Sequence, residues 1–240
     1  MSPARFTFCG MEVFACRSGG LYIGELETLV VADLHLEKGS ACARRGRLLP
    51  PYDSRATLAA LAEAISRFAP SRVVCLGDSF HDRGGTSRLD RADAAALGRL
   101  ADAREWIWIA GNHDPAPHGL GGRHATELGA GPFVFRHAAC RKAGRGEISG
   151  HFHPKATVAT TGRRYTGRCF VSDGARLILP AFGAYTGGLD VFDQAIGAFL
   201  AANFAVHLIG HSRVHAFPAN RLVGGAGTGP APMPAAASRR

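Results

Sequence analysis

The chain has 240 residues, of which 46% are hydrophobic, and this is enough to bury the core of one large α/β domain. No run of about 18 apolar residues occurs, and the N-terminus lacks a basic segment before a long apolar run, so we expect no membrane span and no signal peptide. The six cysteines contain no Cys-x-x-Cys pair, which argues against a disulfide framework and favours a reducing, cytoplasmic location.

The charge balance favours an acidic partner. Lysine and arginine number 28 against 19 acidic residues, which gives a formal net charge of +9. Such an excess suits a polyanion such as nucleic acid. The alternative is that an Arg-, Ala- and Gly-rich composition reflects a GC-rich genome.

The pattern of the N-terminal half predicts strands that alternate with helices. Residues 6–23 alternate around a Gly-Gly turn and predict a β-hairpin or meander. Residues 28–32 predict a buried strand that ends at Asp33, and a persisting extended conformation would direct Asp33 and His35 to the same side. Residues 41–52 are basic and irregular.

Two helices and two buried strands follow. Apolar residues at helical spacing predict a helix that begins with a cap at Asp53 or Ser54 and ends before Pro70. A strand over residues 73–76 ends at Gly77-Asp78, and a second helix covers residues 89–103. The strand over residues 106–110 leads into Gly-Asn-His-Asp.

The C-terminal half contains shorter elements. Residues 115–131 are predicted as a loop, 133–136 as a strand closed by His137, and 147–149 as a lead into Gly-His-x-His. Residues 165–171 and 176–179 predict a hairpin, 192–203 either helix or strand, and 205–217 terminal strands. We expect one domain over residues 1–220 and a disordered Gly/Ala/Pro-rich tail over residues 221–240.

Polar residues follow four of the predicted strands. Open α/β sheets place their chemistry at such carboxyl ends, so we expect these side chains to converge. Carboxylate, imidazole and amide ligands suit Mn, Fe or Zn. Singly, a histidine is more often a satisfied polar residue, and an Asp after Gly is common turn chemistry. The residues concerned are Asp33, His35, Asp78, Asn112, His113, His151 and His153.

Together, the motifs Asp33-x-His35, Gly77-Asp78, Gly111-Asn-His-Asp114 and Gly150-His-x-His153 resemble the binuclear metallophosphoesterase (calcineurin-like) superfamily. The resemblance implies an α/β fold of four layers, with two mixed β-sheets packed as a sandwich flanked by helices. It implies that Asp33, His35 and His153 bind a first metal ion and that Asp78 bridges to a second. Asn112 and His151 would bind the second ion.

The resemblance requires one further histidine between the last two motifs. The candidates are His118, His124 and His137. His118 and His124 lie in the predicted loop, whereas His137 closes an apolar strand as the other ligands do. We therefore select His137 as the remaining ligand.

The implied chemistry is hydrolysis by a hydroxide activated between two divalent ions. His113 is not required as a ligand and lies beside Asn112, so we assign it as the acid that protonates the leaving oxygen, with Asp114 orienting its ring. The alternative is a structural turn histidine.

A narrower resemblance points to DNA. Gly77-Asp-Ser-Phe-His81 is similar to the Gly-Asp-x-Phe-His motif of double-strand-break repair nucleases, in which this histidine lies beside the acid. An exposed loop histidine is the alternative reading of His81. Residues 31–40, 44–58 and 76–82 resemble the bacterial ligase-associated DNA damage response endonuclease.

This resemblance covers the chain to about Phe217. It implies Mn-dependent cleavage of single-stranded DNA in repair, alongside an ATP-dependent DNA ligase, a helicase-like ATPase and an exonuclease. Arg44, Arg45, Arg47 and Arg55 are candidates to bind backbone phosphates, or else form a solvated basic face. No aromatic stacking platform is evident.

Two rival functions remain open. One is a phosphatase or cyclic-nucleotide phosphodiesterase on the same site, and the other is a non-catalytic scaffold that binds partner proteins. A third histidine group, His207, His211 and His215, has a spacing of four, but its apolar neighbours favour strands. We assign these three a structural or surface role.

Overall fold

The computed structural model describes residues 3–50, 52–142 and 144–224, and within them a first sheet has seven strands in sequence order. Adjacent strands are antiparallel up to the fourth and parallel beyond it, which confirms the N-terminal meander and the buried strands. The strands are β1 (Ala4–Phe8), β2 (Met11–Ala15), β3 (Leu21–Ile23), β4 (Thr28–Val31), β5 (Arg72–Cys75), β6 (Glu105–Ile109) and β7 (Arg123–Ala125).

A second mixed sheet contains nine strands within the same described ranges. They are β8 (Glu127–Ala130), β9 (Phe133–Arg136), β10 (Glu147–Ser149), β11 (Lys155–Thr160), β12 (Arg163–Ser172), β13 (Arg176–Ile178), β14 (Ala205–Ile209), β15 (Val214–Pro218) and β16 (Leu222–Val223). Strands β9, β10 and β13 are mutually parallel, and β12 with β13 form the predicted antiparallel hairpin.

The helices are α1 (Lys38–Ala43), α2 (Asp53–Phe68), α3 (Gly85–Arg88), α4 (Arg91–Asp102) and α5 (Gln194–Gly197). Helices α2 and α4 confirm the two helices predicted from periodicity. In the described part of the chain, no helix combines the length and apolar character that a membrane crossing requires.

Apolar side chains of the two sheets pack face to face. Val30 and Ile107 of the first sheet belong to the same buried cluster as Phe135 and Ile148 of the second. On the outer face of the first sheet, α2 and α4 pack against β5 and β6 in a second cluster. On the outer face of the second sheet, Ile196 of the short α5 belongs to a third buried cluster. The sandwich architecture is therefore as predicted.

Several local predictions were wrong. Residues 38–43 form α1, although residues 41–52 were predicted to be irregular. The predicted loop over residues 115–131 contains β7 and β8, because β7 pairs with β6 and β8 pairs with β9. The predicted cap at Asp53 or Ser54 is also wrong. Tyr52 occupies the cap position, since the Asp53 carboxylate accepts the Gly39 amide and the Ser54 hydroxyl contacts Glu37.

The ordered domain extends beyond the predicted boundary at residue 220. Strand β16 pairs with β11, where Val158 lies opposite Leu222, and the Leu222 side chain is buried. This pairing explains why residues 222 and 223 belong to the sheet despite the glycine-rich composition that follows. The rest of the predicted tail, residues 225–240, lies outside the described residues.

The C-terminal histidines do not form a common cluster in the described structure. His207 is buried in β14, and its ring stacks on Phe6 at a centroid distance of 3.9 Å. His215 stacks on Phe217, and His211 is exposed in the turn between β14 and β15. These positions confirm the structural and surface roles predicted for them.

We expect His207 to cause acid destabilisation. Burial lowers its pKa to about 4, whereas the unfolded chain titrates near 6.5. Because the unfolded state binds the proton first as the pH falls, stability present above about pH 6.5 is lost progressively down to pH 4, by up to about 3 kcal/mol. His207→Phe keeps the ring stack and should remove most of this loss in urea unfolding of the metal-free protein. His211→Gln should not, and equal pH dependence of both variants would contradict the assignment.

Candidate metal centre

The predicted ligands lie at the carboxyl ends of parallel strands in both sheets. In the first sheet, β4, β5 and β6 lead into Asp33, Asp78 and Asn112, and in the second, β9 and β10 lead into His137 and His151. Since the sheets pack face to face, their strand ends meet at one edge of the sandwich. The convergence predicted from the sequence is therefore found.

Five of the predicted ligands adopt the left-handed backbone conformation. A non-glycine residue there costs of order 1–3 kcal/mol and persists only where surrounding contacts enforce it. The extended conformation that would direct Asp33 and His35 to the same side does not persist, because the chain turns at each of them, yet the two side chains still meet in one cluster. The residues, with their φ angles, are Asp33 (54°), His35 (44°), Asp78 (47°), His151 (71°) and His153 (50°).

Backbone hydrogen bonds hold these turns in place. The His35 amide donates to the Asp78 carbonyl at 2.9 Å, and the Leu36 amide donates to Ser79 at 2.9 Å, so the two ligand loops run side by side beyond their strands. The His151 amide donates to Asp33 Oδ2 at 2.9 Å, which joins the second sheet to the first.

A first cluster brings together Asp33, His35 and His153. His35 Nε2 lies 3.3 Å from His153 Nε2, which itself lies 3.4 Å from Asp33 Oδ1. Asp33 is fully buried, and its Oδ1 has no hydrogen-bond donor in the described structure. Burial, with neighbouring His153, His113 and His81, lowers the pKa of His35 to about 2, so its imidazole is neutral and its lone pair is available.

A second cluster brings together Asp78, Asn112, His137 and His151. His137 Nε2 lies 2.8 Å from Asn112 Oδ1, 3.1 Å from His151 Nδ1 and 3.5 Å from Asp78 Oδ2. The other ring nitrogen of His137 contacts the Leu76 carbonyl at 2.8 Å. Because a carbonyl only accepts, that nitrogen carries the proton and leaves Nε2 free as a ligand.

These clusters fit two metal ions. Ligand atoms about 2.0–2.2 Å from one ion lie roughly 3–3.5 Å apart. The distances given for the two clusters, from 2.8 to 3.5 Å, are close to this range. Without a cation, the buried Asp33 Oδ1 has no hydrogen-bond donor among the described residues, and the ring nitrogens of His35 and His153 face each other directly. The Asp33, His35 and His153 grouping and the Asp78, His137 and His151 grouping each qualify as a metal site by proximity. The bridging role of Asp78 stays a prediction.

The choice of His137 over the two other candidates agrees with the geometry. His118 and His124 pack against each other at a centroid distance of 4.6 Å, and His118 lies edge-on to Trp108. Neither belongs to a cluster of possible ligands among the described residues. Burial lowers the pKa of His118 to about 4, which is consistent with a neutral packed ring.

His113 and His81 lie beside the first cluster. Their rings stack at 5.4 Å with an interplanar angle of 27°, and His81 Nδ1 lies 3.4 Å from His35 Nδ1. His113 Nδ1 contacts the His81 carbonyl at 2.6 Å, and its Nε2 lies 3.9 Å from Asp78 Oδ2. The structure therefore places His81 next to the predicted acid.

The role predicted for Asp114 is wrong. Its carboxylate does not orient the His113 ring but accepts backbone amides, from Ser79 at 2.7 Å, Phe80 at 3.2 Å and Gly111 at 3.2 Å. Burial raises the pKa of Asp114 to about 6, although the backbone hydrogen bonds act in the opposite direction. Asp114 thus joins the loops after β5 and β6, and the ring of His113 is oriented by a carbonyl instead.

The four predicted arginines differ in their surroundings. Arg44, Arg45 and Arg47 are exposed at the end of α1. Arg55 projects from α2 and pairs with Asp93 at 3.1 Å and with Asp90 at 3.8 Å. Its guanidinium therefore links α2 to α4, and the prediction that it binds phosphate is not supported by its contacts.

Sequence reasoning missed Lys38 and two glycines. Lys38, together with burial, lowers the pKa of His81, which places its charge near the site. A Cβ on Gly183 would overlap the Leu34 carbonyl, and one on Gly188 would overlap the His153 carbonyl. The segment that contains these glycines therefore packs directly against the turns at Leu34 and His153. In the sequence, only the Gly187-Gly188 pair could have indicated this close packing.

Comparison with known proteins agrees with this geometry. The family profile described as calcineurin-like phosphoesterase matches residues 26–173, which is more than half of the chain. A search of curated proteins found no match. The structure of the nuclease MPE from Pseudomonas putida is similar, with a TM-score of 0.70 and 23% identity over 90% of this chain and 100% of that chain.

A phosphoesterase from E. coli, Yfce, also aligns, with a TM-score of 0.34 and 11% identity over 75% of this chain and 87% of that chain. The profile match spans every residue of the two clusters, from Asp33 to His153. The chain belongs to the calcineurin-like phosphoesterase family.

Proposed function

We propose that this phosphoesterase is a metal-dependent DNA endonuclease that hydrolyses phosphodiester bonds. The observation that carries the proposal is the His113 ring, held by the His81 carbonyl with its Nε2 toward the metal clusters. The net charge of +9 suits a polyanionic substrate. The similar structure from Pseudomonas putida is named as a nuclease, which supports the same assignment.

Asp33, His35 and His153 would hold one ion, and Asp78, Asn112, His137 and His151 the other. When bound, two such ions polarise the phosphoryl oxygens and lower the pKa of a coordinated water. All of these donors are oxygen or imidazole nitrogen, a set that suits Mn, with Fe and Zn as alternatives.

His113 is assigned the proton transfer to the leaving oxygen. Its Nδ1 faces a carbonyl oxygen, which can only accept, so Nδ1 keeps its proton in every state. Nε2 is therefore the atom that gains and gives the proton. This nitrogen lies 3.9 Å from Asp78 Oδ2, on the side of the two clusters.

His81 is a positioning residue in this scheme. Its carbonyl orients His113, and its Nδ1 lies at 3.4 Å from His35 Nδ1. A ligating histidine is commonly oriented by a partner on its second ring nitrogen. His81 therefore supports both a metal ligand and the acid.

The biological setting is also a proposal. The motif resemblance suggests a role in DNA repair beside an ATP-dependent DNA ligase, a helicase-like ATPase and an exonuclease. A cytoplasmic location follows from the same role and from the cysteine pattern.

A comparison of three substrates tests the function. With Mn, the chain should cleave single-stranded DNA with a higher kcat/KM than a phosphomonoester, because the basic surface adds contacts that a small ester lacks. Circular single-stranded DNA should also be cut, since an endonuclease needs no end. Turnover confined to the monoester or to cyclic nucleotides would support the phosphatase or cyclic phosphodiesterase instead.

A non-catalytic scaffold is the second alternative. Both ligand clusters are complete, with one carboxylate and at least two imidazoles each. We therefore expect two ions per chain under Mn saturation, measured by elemental analysis. Fewer than two ions, together with no turnover of any ester, would favour the scaffold.

A further inference from the structure

A groove between α1 and α3, which we call the basic groove, is lined by the two segments that follow His35 and His81 in the chain. Its lining includes Arg44, Arg45, Asp82, Arg83, Gly84 and Arg88, and its volume is about 630 Å³. One wall continues from His35 through Lys38 into α1, and the other begins immediately after His81. The chain thus connects both walls directly to site histidines.

The charges of the basic groove are unbalanced. Arg88 pairs with Asp82 at 2.8 Å, so the carboxylate in the lining is already neutralised. Arg44, Arg45 and Arg83 are exposed, and their side chains make no hydrogen bond or ion pair within the described residues. Three guanidinium groups are therefore available to phosphates, which they can bind through two parallel hydrogen bonds.

Arg88, which lines the basic groove, is held in place by a hydrogen-bond network. Arg88 Nε donates to Ser40 Oγ at 2.9 Å, and the Ser40 hydroxyl donates to Glu37 Oε2 at 2.6 Å. Glu37 Oε1 in turn accepts the Ser54 hydroxyl at 2.8 Å. This network links α3, α1 and α2, so the two helices that line the groove need little ordering on binding.

We propose that the basic groove binds the backbone of single-stranded DNA on the leaving-group side of the scissile phosphate. The proposal rests on the proposed nuclease function. The groove wall that begins at Asp82 follows His81 directly in the chain, and His81 stacks on His113. Since His113 protonates the leaving oxygen, the strand attached to that oxygen emerges toward His81 and enters the groove.

Charge reversal in the groove tests the proposal. In the Mn-loaded full chain, Arg45→Glu should lower kcat/KM for single-stranded DNA by at least about tenfold, and Arg44→Glu and Arg83→Glu should act in the same direction. The slope of log kcat/KM against log salt should become shallower by about 0.7 for each phosphate that an arginine no longer binds. Arg163→Glu, at the exposed start of β12, is the matched control. Reductions equal to that of the control, with an unchanged slope, would overturn the proposal.

A second substrate tests the direction of the strand. An oligonucleotide that ends in a p-nitrophenyl phosphodiester releases p-nitrophenolate, so its DNA lies only on the side away from the leaving group. The groove variants should hydrolyse it like the unchanged protein. A reduction in rate on this ester as large as on DNA would place the groove on the opposite side and overturn the assignment.

Failure of the proposed function is recognised separately. If the unchanged protein hydrolyses bis(p-nitrophenyl) phosphate but no DNA, the endonuclease proposal fails. The groove is then judged by the fluorescence anisotropy of a labelled oligonucleotide. Binding that the three arginine variants weaken supports the groove, and absence of binding by the unchanged protein overturns it.

Discussion

Asp78→Asn is expected to lower phosphodiester hydrolysis by about 10³-fold or more, equivalent to about 4 kcal/mol of transition-state stabilisation. Asp78 is almost fully buried, and its Oδ2 faces His137 Nε2 at 3.5 Å in the second cluster. The amide removes the negative charge that an ion requires there. Its oxygen can still accept the His113 amide, which Asp78 Oδ1 does at 2.9 Å, so the fold should survive.

The measurements are metal content and turnover in the same preparation. We expect fewer than two ions per chain in Asp78→Asn and an unchanged far-UV circular dichroism spectrum. Asp102→Asn, at the exposed end of α4, is the control for a surface carboxylate and should retain both ions. Retention of two ions with activity within tenfold of the unchanged protein would show that Asp78 is not a required ligand.

His113→Ala is expected to slow DNA cleavage by about 10²-fold or more while metal content stays at two ions. No predicted ligand atom is removed, because the two clusters assigned to the ions consist of other residues, whereas the proposed proton donor to the leaving oxygen is absent. Esters that release p-nitrophenolate should be slowed much less, since this leaving group needs no proton.

The dependence on the leaving group separates an acid from a structural residue. A structural defect would slow DNA and p-nitrophenyl esters alike, and it would also reduce metal content. His211→Ala, in an exposed turn, provides a histidine control that should change neither rate. Depletion of metal in His113→Ala would instead make His113 a ligand or a residue that supports one.

The long elements, and the convergence of the candidate ligands at one edge of the sandwich, could be predicted from sequence. The strands before Asp33, Asp78 and Asn112 are continuous apolar runs, and helices α2 and α4 have apolar residues at helical spacing. Such periodicity is a property of the local sequence, so it can be recognised without knowledge of the tertiary contacts. The choice of His137 depended on the same local signal, an apolar strand immediately before it.

Some of the short elements could not be predicted in this way. Strands β7 and β16 have three and two residues and exist because neighbouring strands offer hydrogen bonds to them. Asp53 and Ser54 have the composition of a helix cap, yet their side chains bind α1 and Glu37 instead. In each case a contact distant in sequence competed with the local preference and was stronger.

By itself, the sequence determined which donors are present, where each follows a strand and which family the pattern resembles. Only the tertiary structure decided how those donors are used, because orientation depends on contacts between segments far apart in the chain. It turned Asp33 and His35 through left-handed backbone rather than an extended strand. It also placed Asp114 on backbone amides and left His113 oriented by a carbonyl from the neighbouring loop.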